Sequence, residues 1–226
     1  MNIERTSFGG LLVRTALGNY AVNAGGALTA MEKEYRIAEE PLRGIILSCE
    51  HLHRSVNLAE FANRHGIPVL IKTIACAALP MHLDHALRAR ATYPVDFEGL
   101  SVSFHFVRYD SLDPVYLILR DGRETLGIVP DGRLTPKTVE PLLECRTVFL
   151  EKVREELPDS DIESPEEMLI RALFHSGEDG KKKTGTPPRR LRQRWKSFTN
   201  TAAEIAEMFP GYSTIRMGSS MICRKE

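Results

Sequence analysis

The densest group of chemically capable side chains follows a short apolar run. Gly-Ile-Ile-Leu-Ser-Cys-Glu-His-Leu-His-Arg occupies positions 44–54. Alternate residues of an extended backbone point to the same side, so Cys49, His51 and His53 would share one face. A thiolate and two imidazoles are a ligand set for Zn²⁺, and Asp131 could complete a tetrahedron. The alternative interpretation is that Cys49 is a small buried side chain and that Asp131 belongs to a Pro-Asp-Gly turn.

Apolar runs alternate with helical segments in the first half of the chain, which predicts strands joined by helices. The expected elements there are a hairpin over 11–23, a helical segment at 30–39, a buried strand at 44–48, a helix at 58–65 closed by Gly66, a strand at 67–71 and a helix from about 74 to 89. The later expected elements are strands at 100–107, 115–119, 125–129 and 147–150, a short helix near 139–143, helices at 165–175 and 189–209, and a β-like run at 213–223. Asp121-Gly122 predicts a hairpin turn between two of these strands. The pattern indicates one mixed α/β domain over 1–226, with two sheets and helices outside them.

The segment that begins at Ser48 resembles, without gaps, the Thr-His-x-His-x-Asp-His signature of the metallo-β-lactamase superfamily. In this register Ser48 takes the Thr position, and Cys49 and His51 take the first two His positions. His53 then stands in the place of the Asp, and Arg54 in the place of the final His. The resemblance implies the fold of that superfamily, an αββα four-layer sandwich.

Other parts of the chain resemble the same family in the same order. Residues 12–25 are similar to its opening hairpin, and 127–132 are similar to the strand that ends in the metal-bridging Asp, which Asp131 retains. The resemblance places Tyr109 and Ser219 where two further His ligands are usual. Ser-Phe-Thr-Asn, which ends at Asn200, resembles the His-Leu-Ser-Asn segment of the small bacterial exonuclease-like (YycJ/WalJ-type) branch.

The resemblance implies a hydrolase-like protein whose metal site is degenerate. Family members hold one or two Zn²⁺ or Mn²⁺ ions, and a metal-bound water attacks the substrate. Of seven ligand positions, only His51 and Asp131 keep the expected residue, and the fixed charge of Arg54 would repel a cation. We therefore expect no metal cofactor and no catalysis. The side chains expected to contact an anionic ligand instead are Arg54, Tyr109, Ser219 and Asn200.

Two other functions are compatible with the sequence. One is an active phosphodiesterase or nuclease with a single Zn²⁺ or Mn²⁺ held by Cys49, His51, His53 and Asp131. The other is a module that binds an anion or a nucleic acid. Eight basic residues within 180–203, all of them in 181–196, favour the second, although they could equally neutralise the ten acidic residues of 151–179.

Composition limits the remaining classes of protein. The chain has 226 residues, 42% of them hydrophobic and 27% charged, which is typical of a globular protein. Thirty basic and thirty acidic residues cancel, so no global field favours a polyanionic partner. Four scattered cysteines, no secretory signal and no membrane-length apolar run predict a reduced chain of the cytoplasm with no membrane partner. The sequence leaves open the oligomeric state and whether a small molecule or a nucleic acid binds.

Overall fold

A computed structural model describes residues 1–36, 39–51, 56–90, 93–109, 111–154 and 199–226. Within these ranges thirteen strands form two sheets, one of six strands and one of seven. No helix among the described residues is long and apolar enough to cross a bilayer.

The first sheet contains the strands of the amino-terminal half, in the order of the chain. Its strands are β1 (Asn2–Arg5), β2 (Leu11–Thr15), β3 (Gly18–Val22), β4 (Leu42–Ile46), β5 (Val69–Lys72) and β6 (Ala86–Ala89). The first three strands are antiparallel neighbours, and β3 to β6 run parallel. The connecting helices are α1 (Leu28–Glu34), α2 (Leu58–His65) and α3 (Thr73–Ala78). Their apolar faces pack on the outer side of this sheet.

The second sheet contains the remaining strands, in the order β12-β13-β11-β10-β9-β8-β7. They are β7 (Val95–Phe97), β8 (Leu100–Phe106), β9 (Val115–Arg120), β10 (Thr125–Val129), β11 (Thr147–Leu150), β12 (Tyr212–Met217) and β13 (Ser220–Lys225). Among the described strands of this sheet, only β10 and β11 are parallel neighbours. Its outer side is covered by α4 (Pro136–Val139), a 3₁₀ turn (Glu140–Glu144) and α5 (Ala202–Met208).

Alternation along the strands divides the apolar side chains between three layers of core. Inward-facing residues of both sheets, such as Tyr20, Ile46, Phe104 and Leu117, form one buried cluster between the sheets. At Gly44 the sheets come so close that a Cβ would lie 2.4 Å from the ring of Phe97. With helices outside each sheet, the described chain forms the predicted helix–sheet–sheet–helix sandwich.

The predicted strands agree well with the structure, because apolar runs buried on both faces are easy to identify. The strands at 125–129 and 147–150 are confirmed residue for residue, as is the helix at 58–65, which Gly66 ends with a φ of +62°. The β-like run at 213–223 is a hairpin that turns at Gly218.

The predicted helix over 74–89 is wrong. Helix α3 ends at Ala78, and the chain returns as strand β6. Pro80 is the physical reason, because the residue before a proline is forced out of the helical region. Leu79 accordingly has an extended backbone, with φ −73° and ψ 128°.

The helix predicted over 189–209 is also wrong at 199–201. Thr201 caps the amino terminus of α5 by accepting a hydrogen bond from the backbone of Glu204, so the helix begins at Ala202. Residues 189–198 and the helix predicted at 165–175 lie outside the described residues.

Candidate functional site

One edge of the sandwich contains most of the predicted site. Strands β3, β4 and β5 are parallel, so the residues after them meet at the same edge of the first sheet. The β8–β9 connection, which is described at 107–109 and 111–114, lies at the corresponding edge of the second sheet, beside the end of β10. We call this the strand-end edge. Parallel strands thus bring together side chains that are far apart in the chain.

Asn23 fixes the backbone where β4 ends. Its Oδ1 accepts hydrogen bonds from the backbone N–H and the hydroxyl of Ser48, both at 3.1 Å. Its own N–H donates to the carbonyl of Ile46 at 2.9 Å, and its φ of +54° lies in the left-handed region that Asn tolerates. Asn23 and Ser48 are buried, so this turn is firmly held in place.

Cys49 and His51 are close together, as the alternating pattern predicts. The Sγ of buried Cys49 lies 3.3 Å from Nδ1 of His51. The imidazole in turn makes an edge-on contact with Tyr109, with ring centroids 5.3 Å apart. Three predicted site residues from two separate segments therefore lie side by side.

Glu50, which the sequence reasoning did not single out, ties the two sheets together. Its carboxylate accepts a hydrogen bond from the hydroxyl of Ser111 at 2.7 Å and another from the N–H of Leu112 at 2.9 Å. Burial would raise the pKa of Glu50, but these hydrogen bonds outweigh it and lower the pKa. Glu50 is therefore held as a carboxylate that anchors the 107–114 connection.

Asp131 lies against a lysine that the sequence reasoning also missed. Nζ of Lys152 is 3.1 Å from Oδ1 of Asp131, and the two side chains are 20% and 8% exposed. Parallel pairing brings them together, because Val129 of β10 is opposite Leu150 of β11. Each charged residue lies two positions beyond its strand. A lysine two residues after a strand was the only sequence signal for this contact.

A second lysine–aspartate pair lies at the same edge. Nζ of Lys72, at the end of β5, is 3.2 Å from Oδ2 of Asp113 in the 107–114 connection, and both side chains are largely buried. The two sheets are thus linked here by an ion pair as well as by the hydrogen bonds to Glu50.

Asn200 and Ser219 occupy different environments. Asn200 is buried, and its amide accepts from the N–H of Leu134 at 2.8 Å and donates to the same residue's carbonyl at 3.2 Å. Ser219 is exposed in the β12–β13 turn, where its carbonyl accepts from the N–H of Val153 at 2.7 Å. Asn200 therefore braces the backbone, whereas Ser219 lies beside the segment that carries Lys152.

Several predicted features lie outside the described residues. These are His53, Arg54, the basic run 181–196 and most of the acidic segment 151–179.

The described side chains at the strand-end edge do not make up a dinuclear metal site. The described residues contain no group of three or more His, Cys, Asp or Glu side chains placed to hold a metal ion. Asp131, which the resemblance assigns as the metal-bridging ligand, instead faces an ammonium group that has no lone pair to offer. A divalent cation at that carboxylate would be repelled by Lys152.

Comparisons with known proteins bear on the fold. No protein-family model matches the chain, and no curated protein matches it. Among solved structures, it is similar to the metallo-β-lactamase fold protein YhfI from Bacillus subtilis, with 19% identity, a TM-score of 0.53, and coverage of 70% of this chain and 67% of that one.

Two further solved structures show weaker similarity. A metallo-β-lactamase with a HARLDQ motif from Cronobacter sakazakii has 13% identity and a TM-score of 0.47, covering 56% of this chain and 59% of its own. A B3 metallo-β-lactamase with an active-site glutamic acid has 10% identity and a TM-score of 0.48, covering 63% of this chain and 71% of its own. The two sheets, the helices outside them and the similarity to YhfI together confirm the predicted architecture: this chain has the metallo-β-lactamase fold.

Proposed function

We propose that this chain is a metallo-β-lactamase-fold protein that does not catalyse metal-dependent hydrolysis. The observation that carries the proposal is the contact between Lys152 and Asp131. A carboxylate that bridges metal ions needs its lone pairs free for them. Here an ammonium group already supplies the positive charge, in a largely buried position where a second cation would be strongly disfavoured.

The residues at the other ligand positions support the same proposal. Tyr109 and Ser219, at two positions where His is usual, are poor metal ligands at neutral pH, and Arg54 cannot coordinate a cation. The Ser-Phe-Thr-Asn pattern that ends at Asn200 is the basis for also proposing kinship with the small exonuclease-like branch.

One observation favours a second candidate function, an active hydrolase with a single metal. Sγ of Cys49 and Nδ1 of His51 are 3.3 Å apart, a separation that two ligands of one Zn²⁺ ion can have. This candidate needs donors beyond those two. His53 and Asp131 are the ones that the sequence suggests, and Asp131 would have to exchange its ammonium partner for the metal.

Elemental analysis separates these functions. The chain would be purified without chelators from cells supplied with Zn²⁺ and Mn²⁺, and its metal content would be measured for the wild type, His51→Ala and Asp131→Asn. We expect far less than one ion per chain in all three, and no EDTA-sensitive hydrolysis of bis(p-nitrophenyl) phosphate, single-stranded DNA or RNA. A stoichiometric metal that is lost in both variants would overturn the proposal.

The second candidate predicts a different result. A single-metal centre built on the thiol–imidazole pair predicts one ion per chain that is lost in Cys49→Ala and His51→Ala. It also predicts metal-dependent turnover of a phosphodiester. Turnover that survives removal of the metal would contradict this second candidate.

A further inference from the structure

A cavity lies on the outer side of the second sheet, between the sheet and the helical segment that covers it. Its volume is about 400 Å³, and the described residues that line it belong to β8, β9, α4, the 3₁₀ turn and the chain just before β7. Ser103 and Ile118 form a buried floor. Binding sites for small molecules have volumes of about 300–1,000 Å³, so the cavity is large enough for a small ligand.

Two contacts fix the course of the helical wall above β9. The hydroxyl of Tyr116 donates a hydrogen bond to the carbonyl of Thr138 in α4 at 2.8 Å. Further along β9, Nη2 of Arg120 lies 3.5 Å from Oε2 of Glu144, the last residue of the 3₁₀ turn. The wall therefore follows β9, and its residues line the cavity along its length.

A histidine and a serine in the cavity provide hydrogen-bonding groups without charge. Nε2 of His105 lies 3.1 Å from Oγ of Ser103, and the imidazole stacks on the ring of Tyr116, with ring centroids 5.0 Å apart. Burial, together with the positive charge of Arg120, lowers the pKa of His105. The imidazole is therefore neutral at pH 7, and His105 adds no charge to the cavity.

The charged groups around the cavity cancel. Arg120 and Lys137 are positive, and Glu140 and Glu144 are negative. Arg120 and Glu144 pair with each other. Lys137 and Glu140 are exposed, and in the described part of the chain neither of them belongs to an ion pair. Because they are three residues apart in a helical segment, their side chains lie on the same face, where they present one ammonium and one carboxylate group.

This charge pattern discriminates between classes of ligand. A simple anion attracted to Lys137 would be repelled by the two carboxylates, and a simple cation attracted to Glu140 would be repelled by Lys137 and Arg120. A zwitterion avoids both penalties, because each of its charges can lie beside a group of opposite sign. An α-amino acid carries its ammonium and carboxylate groups on one carbon atom, which suits two protein charges one helical turn apart.

We propose that this cavity binds a free α-amino acid, with its carboxylate at Lys137, its ammonium group at Glu140 and its side chain over the buried floor. There Ile118 offers apolar contact, and Ser103 and His105 offer hydrogen-bonding groups. The proposal does not depend on the proposed function, since the described residues that line the cavity include none from the strand-end edge.

Thermal unfolding and isothermal titration calorimetry with the standard L-amino acids test the proposal. We expect one or a few of them to bind and to raise the unfolding temperature. For the strongest ligand, two matched probes are the amine without the carboxylate and the carboxylic acid without the amine. Each lacks one of the two ion pairs and should bind at least about fivefold more weakly. A probe with one charge that binds as well as the amino acid would show that the site does not select a zwitterion.

Variants of the two groups without ion-pair partners locate the ligand. Lys137→Met and Glu140→Gln should each weaken binding at least about fivefold. Both side chains are exposed, so the fold should be unaffected. Glu207→Gln is the matched control, because Glu207 is an exposed glutamate on α5, which covers the same sheet, and it does not line the cavity. This control should bind the amino acid as the wild type does.

Nuclear magnetic resonance of the histidines tests the location without changing a charge at the rim. The imidazole resonances of His105, assigned with His105→Gln, should shift when the amino acid is added, whereas those of His65 on α2 should not. Three results would overturn the proposal. They are no binding of any standard amino acid at millimolar concentrations, binding that Lys137→Met and Glu140→Gln leave unchanged, and binding that does not move the His105 resonances.

Discussion

Removal of the Lys152 ammonium should destabilise the protein through Asp131. At 3.1 Å, two unit charges attract by about 5 kcal/mol at an effective dielectric constant of about 20, before the cost of desolvation. Removing one member of a largely buried pair takes away part of the compensation of the other charge, at a cost of up to about 3–5 kcal/mol. Lys152 retains some exposure to solvent, so for Lys152→Met we expect the lower end, about 3 kcal/mol.

A double-mutant cycle isolates this pair from the other contacts of the two residues. Lys152→Met, Asp131→Asn and the double variant would be compared with the wild type by urea unfolding at pH 7. The double variant removes both charges. The loss in free energy of unfolding that it causes should therefore be smaller than the sum of the two single losses, by about 2 kcal/mol. A large coupling would show that Lys152 neutralises Asp131 in solution.

The Glu4–Arg14 pair provides the control. Nε of Arg14 lies 2.9 Å from Oε1 of Glu4, a shorter distance than in the Lys152 pair, but the side chains are 24% and 44% exposed. The cycle of Arg14→Met and Glu4→Gln should therefore give a coupling below about 1 kcal/mol. If the Lys152 and Asp131 costs add within about 0.5 kcal/mol, as distant sites do, the electrostatic argument against a metal at Asp131 is refuted.

Three further predictions concern other parts of the fold. Gly44→Ala should cost about 2 kcal/mol or more in urea unfolding, since the added methyl group would overlap the Phe97 ring, and Phe97→Leu should recover part of the loss. Asn23→Ala should lower the free energy of unfolding by about 2 kcal/mol, because Ser48 loses the acceptor of two buried hydrogen bonds. Asn23→Asp keeps an acceptor oxygen and should retain most of the stability. Equal costs for the two variants would contradict this explanation. Burial lowers the pKa of His105 in the folded protein. As the pH falls, His105 of the unfolded chain therefore takes up a proton before His105 of the folded protein does. The contribution of His105 to the free energy of unfolding, which is present above about pH 6.5, should be lost below that pH. His105→Gln should flatten the curve of unfolding free energy against pH in that range, and an unchanged slope would show that His105 does not contribute.

The strands could be predicted from the sequence because their burial is continuous. Strands β10 and β11 are largely apolar on both faces, and β10 ends before Pro130-Asp131-Gly132, so their bounds agree with the structure residue for residue. Helix α3 shows the limit of composition, because Ala-rich residues on both sides of Pro80 look helical. The proline's effect on Leu79 decides where the helix stops.

The candidate site could be predicted only where its members follow strands. Cys49 and His51 were identified because they come directly after β4, and their contact follows from local geometry. Lys152 could not be identified in this way. Its contact with Asp131 depends on β10 and β11 being parallel and in one particular register, which single-strand patterns do not specify.

A buried carboxylate at the end of β10 requires a positive charge nearby, whichever group supplies it. In a metalloenzyme the ion provides that charge, and the protein's stability then depends on metal binding. Here the ammonium of Lys152 provides it from within the chain, and Lys72 does the same for Asp113 at the same edge. The proposed metal-free site therefore predicts that the strand-end edge stays folded without an ion. It follows that a chelator should leave the unfolding temperature of the wild type unchanged. In Lys152→Met the carboxylate of Asp131 no longer has the ammonium group beside it, so added Zn²⁺ should stabilise this variant. A wild type that EDTA destabilises would mean that the charge at Asp131 comes from a bound ion after all.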